Sequence, residues 1–290
     1  MKILLAGASG MIGTALKGEL SRRGDAVRVL ARDDSGDYRW DGRAVEPAPV
    51  EWADAVVSLS GASLTKLPWT SAYRRLILTS RVDATAALAR AITGAPSPPR
   101  VWVSGSAVGI YGDRGDAELD ESATGGTGFL ADVVRAWEGA TAAAQGTTRV
   151  VNARTGIVLG AAGALAPLVR TTRLGLGARI GPGTQWWGWV SLEDEVRAIT
   201  FALDHEELAG PVNLVGPVPA TASTITRAVA AALRRPHRLV IPAWAIRLAM
   251  GAASELLLDS QRVRSGKLLA AGYEFRHQTP DSALAALGLA

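Results

Sequence analysis

The sequence predicts an α/β protein: a Rossmann-type, doubly wound parallel sheet with a smaller C-terminal lobe. Three observations carry this. The apolar run Lys2-Ile3-Leu4-Leu5-Ala6 passes directly into the loop Gly7-Ala8-Ser9-Gly10-Met11-Ile12-Gly13. An amphipathic segment follows, with Ile12, Ala15, Leu16 and Leu20 at helical spacing, and stops at Gly24. A second apolar run, Ala26 to Ala31, then comes at the distance a βαβ crossover requires.

The rhythm continues along the chain. Strands are expected over 54–60, 100–104 and 149–154, alternating with helices over 70–93 and 129–144. Beyond residue 154 the pattern loosens. One helix lies within the glycine-rich stretch 160–183; a short strand follows at 186–191, a helix at 192–203, a strand at 211–215 and a helix at 222–233. Residues 242–258 and 260–271 read as a small helical part. The expected division is a nucleotide-binding domain over 1–160, with strands returning near 188–215, and a substrate lobe with a helical end over 161–290.

The glycine loop has a mechanical reading. Its first glycine allows a tight turn off the strand, the second lets backbone approach a phosphate, and the third lets the helix pack close to the sheet. The helix N-terminus then directs free N–H groups and its positive dipole end at a pyrophosphate. The end of the second strand discriminates between dinucleotides. An acidic residue there would bind a ribose 2′-hydroxyl, but this chain has Ala31 followed by Arg32. A small residue and an arginine suit a 2′-phosphate, so the expected cofactor is NADP. The plain alternative for Arg32 is a solvated surface residue.

Composition narrows the function classes. The 290 residues are 48% hydrophobic and 20% charged, within the range of a globular protein. The chain lacks cysteine, which excludes disulfides and thiolate metal sites. Its net charge of +4 is carried by arginines scattered along the chain, a mild attraction for anionic ligands and no nucleic-acid footprint. No apolar run reaches membrane-spanning length, and the apolar start is too short for a signal peptide. A cytoplasmic protein with a small-molecule substrate, and neither a nucleic-acid nor a membrane partner, is expected. His205, His237 and His277 are scattered without metal-ligand spacing, so no metal is expected.

At the level of motifs the chain resembles the extended short-chain dehydrogenase/reductase superfamily. The resemblance rests on the glycine loop, Leu59-Ser60-Gly61, Ser80-Arg81-Val82-Asp83-Ala84-Thr85 and the turn Val103-Ser104-Gly105-Ser106-Ala107-Val108-Gly109-Ile110-Tyr111-Gly112. More narrowly it resembles the atypical branch described as nucleoside-diphosphate-sugar epimerases. The motifs there include Trp137-Glu138, Arg154-Thr155-Gly156-Ile157-Val158-Leu159-Gly160, Gly210-Pro211-Val212-Asn213 and Ser260-Gln261-Arg262-Val263. The match spans essentially the whole chain. It departs from the branch pattern at Pro68, Ser58, Gly188 and Ser191, where arginine, asparagine, serine and histidine are usual.

The resemblance implies site residues. Gly7, Ser9, Gly10, Met11, Ile12 and Gly13 would hold the pyrophosphate, and Ala31 and Arg32 the 2′-phosphate. Leu59, Ser60 and Gly61 would line the adenosine side, with Ser104 nearby. Arg81 would reach a phosphate or hold a loop, and Val158 would lie near the nicotinamide. Ser106 matches the superfamily's substrate-oxygen serine. Members often pair through helices like 70–93 and 129–144, implying a homodimer.

The superfamily's proton-transfer pair, Tyr-x-x-x-Lys, is missing. Aligning on Trp137-Glu138 puts Phe129 and Val133 in its place. The residues four beyond Tyr38, Tyr73, Tyr111 and Tyr273 are Gly42, Ile77, Gly115 and His277, so no register restores it. Tyr111 is then the candidate proton donor, with a packed turn residue as its plain alternative. The acidic loop Asp113, Asp116, Glu118, Asp120 and Glu121 reads as a solvated face. Trp186, Trp187 and Trp189 read mostly as core, with room for one to stack on a ring-shaped ligand. Two readings follow: an NADP-dependent oxidoreductase or epimerase-like enzyme with a non-standard donor, or an NADP-binding sensor or scaffold that has lost chemistry.

Overall fold

Seven parallel strands form the centre of the computed structural model, which describes residues 1–289. They are β1 (Lys2–Ala6), β2 (Ala26–Ala31), β3 (Tyr38–Arg39), β4 (Ala55–Ser58), β5 (Val101–Ala107), β6 (Arg149–Thr155) and β7 (Gly210–Leu214). Their spatial order is β7-β6-β5-β4-β1-β2-β3. The chain winds outward in one direction from β1 to β3 and in the other from β4 to β7. The reversal leaves a crevice at the C-terminal ends of β1 and β4, where doubly wound sheets bind ligands.

The central strands are buried on both faces, and successive side chains alternate between them. Ile3 and Leu5 face one side, packing with Leu16, Leu20, Val57, Val103, Ile199 and Leu203. Leu4 faces the other, with Val56, Leu88, Ile92 and Trp102. The first layer is supplied by α1 (Met11–Arg22) and the second by α2 (Ser71–Gly94), whose N-cap Thr70 accepts from the Tyr73 amide. Helices α3 (Phe129–Gly139) and α4 (Leu192–Asp204) complete the two faces. A separate apolar cluster organises the later chain: Leu165, Val169 and Leu284 pack with Ile225 and Val229 of α5 (Ala222–Ala232) and Ile246 of α6 (Ala243–Met250).

Several elements differ from the sequence expectation. The single strand expected at 186–191 is two. Trp186–Trp187 pairs antiparallel with Ala220–Thr221, whereas Trp189–Ser191 pairs parallel with Ile157–Leu159. Between them the Gly188 carbonyl accepts from the Ile157 amide at 2.6 Å. Alternation along one segment carries no record of a change of partner. The helix expected to reach 144 ends at Gly139, followed by a 3-10 turn, Ala142–Ala144. The expected helical stretch 242–258 is broken by a 3-10 turn at Gly251–Ser254. An unanticipated strand, His237–Ile241, pairs parallel with Gly177–Ile180. No helix among the described residues is long and apolar enough to cross a membrane.

Candidate functional site

The glycine loop lies at the crevice between β1 and β4. Gly7 has φ +89°, and a Cβ there would lie 2.7 Å from the Leu59 carbonyl carbon and 2.8 Å from the Ser60 nitrogen. A Cβ on Gly13 would lie 2.1 Å from the Gly7 carbonyl oxygen. Both glycines are therefore required by close backbone approach. Gly10 is the N-cap of α1; no side chain caps that end and no acidic residue occupies its first turn. The amides of the first turn, which includes Met11 and Ile12, have no intrahelical acceptors and favour an anion. Ser9 lies within the same turn of chain. Met11 reaches back to the segment after Val158: a Cβ on Gly160 would meet its sulfur at 2.7 Å.

At the end of β2 the following loop folds back over Ala31. A Cβ on Gly36 would lie 2.7 Å from the Ala31 Cβ, so a long acidic side chain at 31 would have to turn away from this loop. The nearby acids are engaged locally. Asp33 accepts from the Ser35 amide at 3.1 Å, Asp34 pairs with Arg39 at 3.4 Å and Asp37 accepts from the Val29 amide at 2.8 Å. Arg32 is exposed and has no ion pair among the described residues.

Leu59, Ser60 and Gly61 follow β4 beside the glycine loop, and the Leu59 amide donates to the Ala6 carbonyl at 2.8 Å. Arg81 holds this segment from α2. Its guanidinium donates to the Ile77 carbonyl at 3.0 Å and the Ala62 carbonyl at 3.2 Å, and lies 5.1 Å from the Trp137 ring centre. Burial without a carboxylate partner lowers its pKa to about 10. Of the two roles the resemblance implied, the observed contacts are those of loop-holding. Ser104 is fully buried within β5.

Ser106 and Tyr111 belong to one buried polar network. Ser106 Oγ donates to Glu138 Oε1 at 2.6 Å. Arg154 grips the same carboxylate, Nε to Oε1 at 2.8 Å and Nη2 to Oε2 at 2.9 Å, while its Nη1 donates to the Tyr111 hydroxyl at 2.9 Å. That hydroxyl also lies 2.8 Å from Asn213 Oδ1 and 2.9 Å from the Asp120 carbonyl. Burial raises the Tyr111 pKa against the opposing pull of Arg154. For Arg154 itself, burial is the largest single influence and opposes the charge, but the hydrogen bonds and charge attraction of Glu138 and Tyr111 together outweigh it and raise the pKa. Tyr111 is fully buried and its hydroxyl is fully engaged within this network, which is the arrangement of the packed turn residue that stood as its plain alternative. Glu138 and Arg154 were visible in the sequence only as motif members, because their meeting joins α3 to β6 across 16 residues.

The positions of the missing pair are occupied by packing. Phe129 sits edge-on to Trp69 with ring centres 5.6 Å apart, and the Arg74 guanidinium lies 4.4 Å from its centre. Val133 is buried with Trp69, Ile77 and Ala253. The C-terminal part closes this helix end: Glu255 accepts from the Phe129 and Leu130 amides at 3.1 and 3.0 Å. One further buried acid lies nearby. Glu195, in the first turns of α4, accepts from Thr155 Oγ1 at 2.6 Å, and burial raises its pKa to about 8 against that bond.

The acidic loop is not simply a solvated face. Asp113 accepts from the Ser260 amide, Glu118 pairs with Arg262 and Arg264, and Glu121 accepts from the Asn213 and Lys267 amides. It clasps the C-terminal segment, a long-range role that charge counting does not reveal. Trp187 and Trp189 are buried, and their indole N–H groups donate to the Leu257 and Val218 carbonyls. Trp186 donates to Asp116 at 2.8 Å. Among the described residues no group of three potential metal ligands occurs.

Comparison with known proteins places this geometry. Residues 3–216 match the NAD dependent epimerase/dehydratase family. The chain belongs to that family. In this family member, residues 241–287 also match a domain of unknown function, DUF1731. An epimerase family protein of Mycobacterium leprae is 40% identical over 97% of this chain and 94% of its own length. The crystal structure of the human epimerase family protein SDR39U1 with NADPH superposes with a TM-score of 0.94, at 33% identity and 99% coverage of both chains. The nucleoside-diphosphate sugar epimerase of Corynebacterium glutamicum has a TM-score of 0.83 and 30% identity, over 99% of this chain and 58% of that one.

Proposed function

We propose that this chain binds NADP(H) across the glycine loop and is an epimerase- or oxidoreductase-like enzyme of the extended short-chain dehydrogenase/reductase superfamily, acting on a carbonyl or sugar-nucleotide substrate. The observation that carries the cofactor reading is Arg32: exposed, unpaired among the described residues and next to Ala31, it suits a 2′-phosphate. The cradle fits a pyrophosphate, since Cβ atoms on Gly7 and Gly13 would collide with backbone and the first turn of α1 is uncapped. The human relative crystallised with NADPH supports the same assignment.

The bound nicotinamide would supply or accept the hydride. The chain's part is to hold a proton at Ser106. As a substrate hydroxyl gives its proton to Ser106 Oγ, the serine's own proton would pass to Glu138 Oε1 along the 2.6 Å bond. Arg154 and Tyr111 would position that carboxylate, and Arg81 would position the loop carrying Ser60. Sugar nucleotides enter as a substrate class through the Corynebacterium relative. A homodimer through α2 and α3 belongs to the same proposal, and sedimentation equilibrium decides it.

The enclosure of Phe129 and Val133 favours a second reading, an NADP-binding sensor or scaffold without turnover. One experiment separates the two. The purified chain is titrated with NADPH and NADH, then incubated with NADPH and a panel of carbonyls, and separately with NADP+ and a panel of sugar nucleotides. Selective NADPH binding with oxidation or epimerisation supports the enzyme. Binding alone supports the sensor, and absence of binding removes both.

A further inference from the structure

The net charge of +4 conceals a sharp division within the fold. Residues 161–184 and 208–254 hold eight of the 31 basic residues and none of the 27 acidic ones, leaving the rest of the chain net acidic. The scattered arginines of the sequence are gathered by folding. Helix Ala166–Arg173, strand Gly177–Ile180, α5 and strand His237–Ile241 pack together around the apolar cluster that includes Val169 and Val229. Among the described residues, Arg179, Arg234, Arg235, Arg238 and Arg247 have no carboxylate partner.

The same surface exposes large apolar side chains. Leu239, Val240 and Ile241 lie exposed in succession on a strand paired along only one edge. Trp244 and Leu248, 68% and 82% exposed, follow on one face of α6 at i,i+4 spacing, with Arg247 beside them. Leu176 joins them at the opposite end, because Gly177 pairs with His237. Arg179 pairs with Val240 across the two strands and shares its outward face. An aliphatic and tryptophan patch of this extent is rare on a solvated surface without a partner.

We propose that this face docks peripherally on an anionic lipid surface. The arginines would meet the phosphate and carboxylate headgroups while Trp244, Leu248 and the Leu239–Ile241 edge enter the interface. Charge decides against a second copy, because two such faces would oppose arginine to arginine. Aliphatic exposure decides against nucleic acid, whose backbone offers nothing to Leu248 or Val240. No run of the sequence is long and apolar enough to span a membrane. This surface is instead assembled from a strand edge, a short helix and a loop, all distant from the glycine loop in sequence.

The test is sedimentation of the intact chain with sucrose-loaded vesicles of phosphatidylcholine alone or with 30 mol% phosphatidylglycerol (~0.1 M salt, where charges act over about 10 Å). The expected result is binding to the anionic vesicles only, weakened at least tenfold by Trp244→Ser with Leu248→Ser and by Arg234→Glu with Arg238→Glu. These side chains are exposed, so unchanged thermal melting and unchanged NADPH binding establish that the variants are folded. Failure to bind anionic vesicles, equal binding to neutral ones, or unaltered binding by folded variants overturns the proposal. So does a concentration-dependent dimer abolished by Trp244→Ser with Leu248→Ser, or retention on RNA that these two substitutions do not affect in a chain that ignores vesicles.

Discussion

Arg154 and Glu138 meet through two hydrogen bonds, at 2.8 and 2.9 Å, with both side chains largely withdrawn from solvent. The pair joins the end of β6 to the last turns of α3 and places Ser106 on one side and Tyr111 on the other. Removing one partner leaves the other charge buried and uncompensated, which costs about 3–5 kcal/mol. Glu138→Ala and Arg154→Met should each show this loss in urea unfolding. Glu138→Gln keeps the shape and should retain more stability while abolishing any turnover that passes through Ser106.

Restoring the superfamily pair should not create an enzyme. Lysine at 133 would carry its ammonium into the closed cluster of Trp69, Ile77 and Ala253, at a cost on the order of several kcal/mol. Phe129→Tyr with Val133→Lys is therefore expected to melt well below the parent and to show no gain in NADPH oxidation over it. A stable double variant with new activity would overturn the view that the packing at this end of α3 excludes the pair.

Cofactor discrimination should rest on one side chain. Arg32→Ala is expected to weaken NADPH binding by about 1.5–3 kcal/mol, the range for a hydrogen bond to a charged group. NADH affinity should change little. Isothermal titration of both dinucleotides against both proteins measures this directly.

Stability should fall as pH rises through the neutral range, partly through Glu195. Its carboxyl has an ordinary value of 4.5, and burial in the folded chain raises this to about 8. Between those values the folded state holds a proton that the unfolded state has released, so the slope of stability against pH is negative. The contribution is fully present below about 4.5 and is lost by about 8. Glu195→Gln should flatten this dependence, and urea midpoints for both proteins at pH 5, 6.5 and 8 supply the comparison.

The C-terminal part should stabilise the nucleotide-binding half through Glu255. Replacing it with alanine leaves the Phe129 and Leu130 amides without their acceptor. The expected loss is about 1 kcal/mol, typical of an N-terminal helix cap. Amide exchange at the start of α3 should accelerate selectively.

The sheet was legible because its parts are local. A buried strand, a glycine turn and an amphipathic helix occupy the first 31 residues, and each announces itself through spacing alone. The glycine cradle was legible for the same reason. What escaped was long-range. The grip of Arg154 on Glu138, the acidic loop's hold on the C-terminal segment and the cap supplied by Glu255 each join residues that have no periodic relation. The strand His237–Ile241 was hidden because its apolar run, Leu239-Val240-Ile241, is short, largely exposed and runs on through Pro242 into the next helix, so neither alternation nor a bounded buried run marks it.

The packing around Val133 bears on how this chain could change over time. Loss of a tyrosine and a lysine is ordinarily reversible by two substitutions. Here Trp69, Ile77 and Ala253 close around Val133, and Glu255 ties the helix end to a separate segment. Two substitutions alone therefore leave a lysine at this position without room, and the surrounding side chains would have to change with it. Redesign of this site starts more readily from the polar residues the chain already holds than from the superfamily's pair.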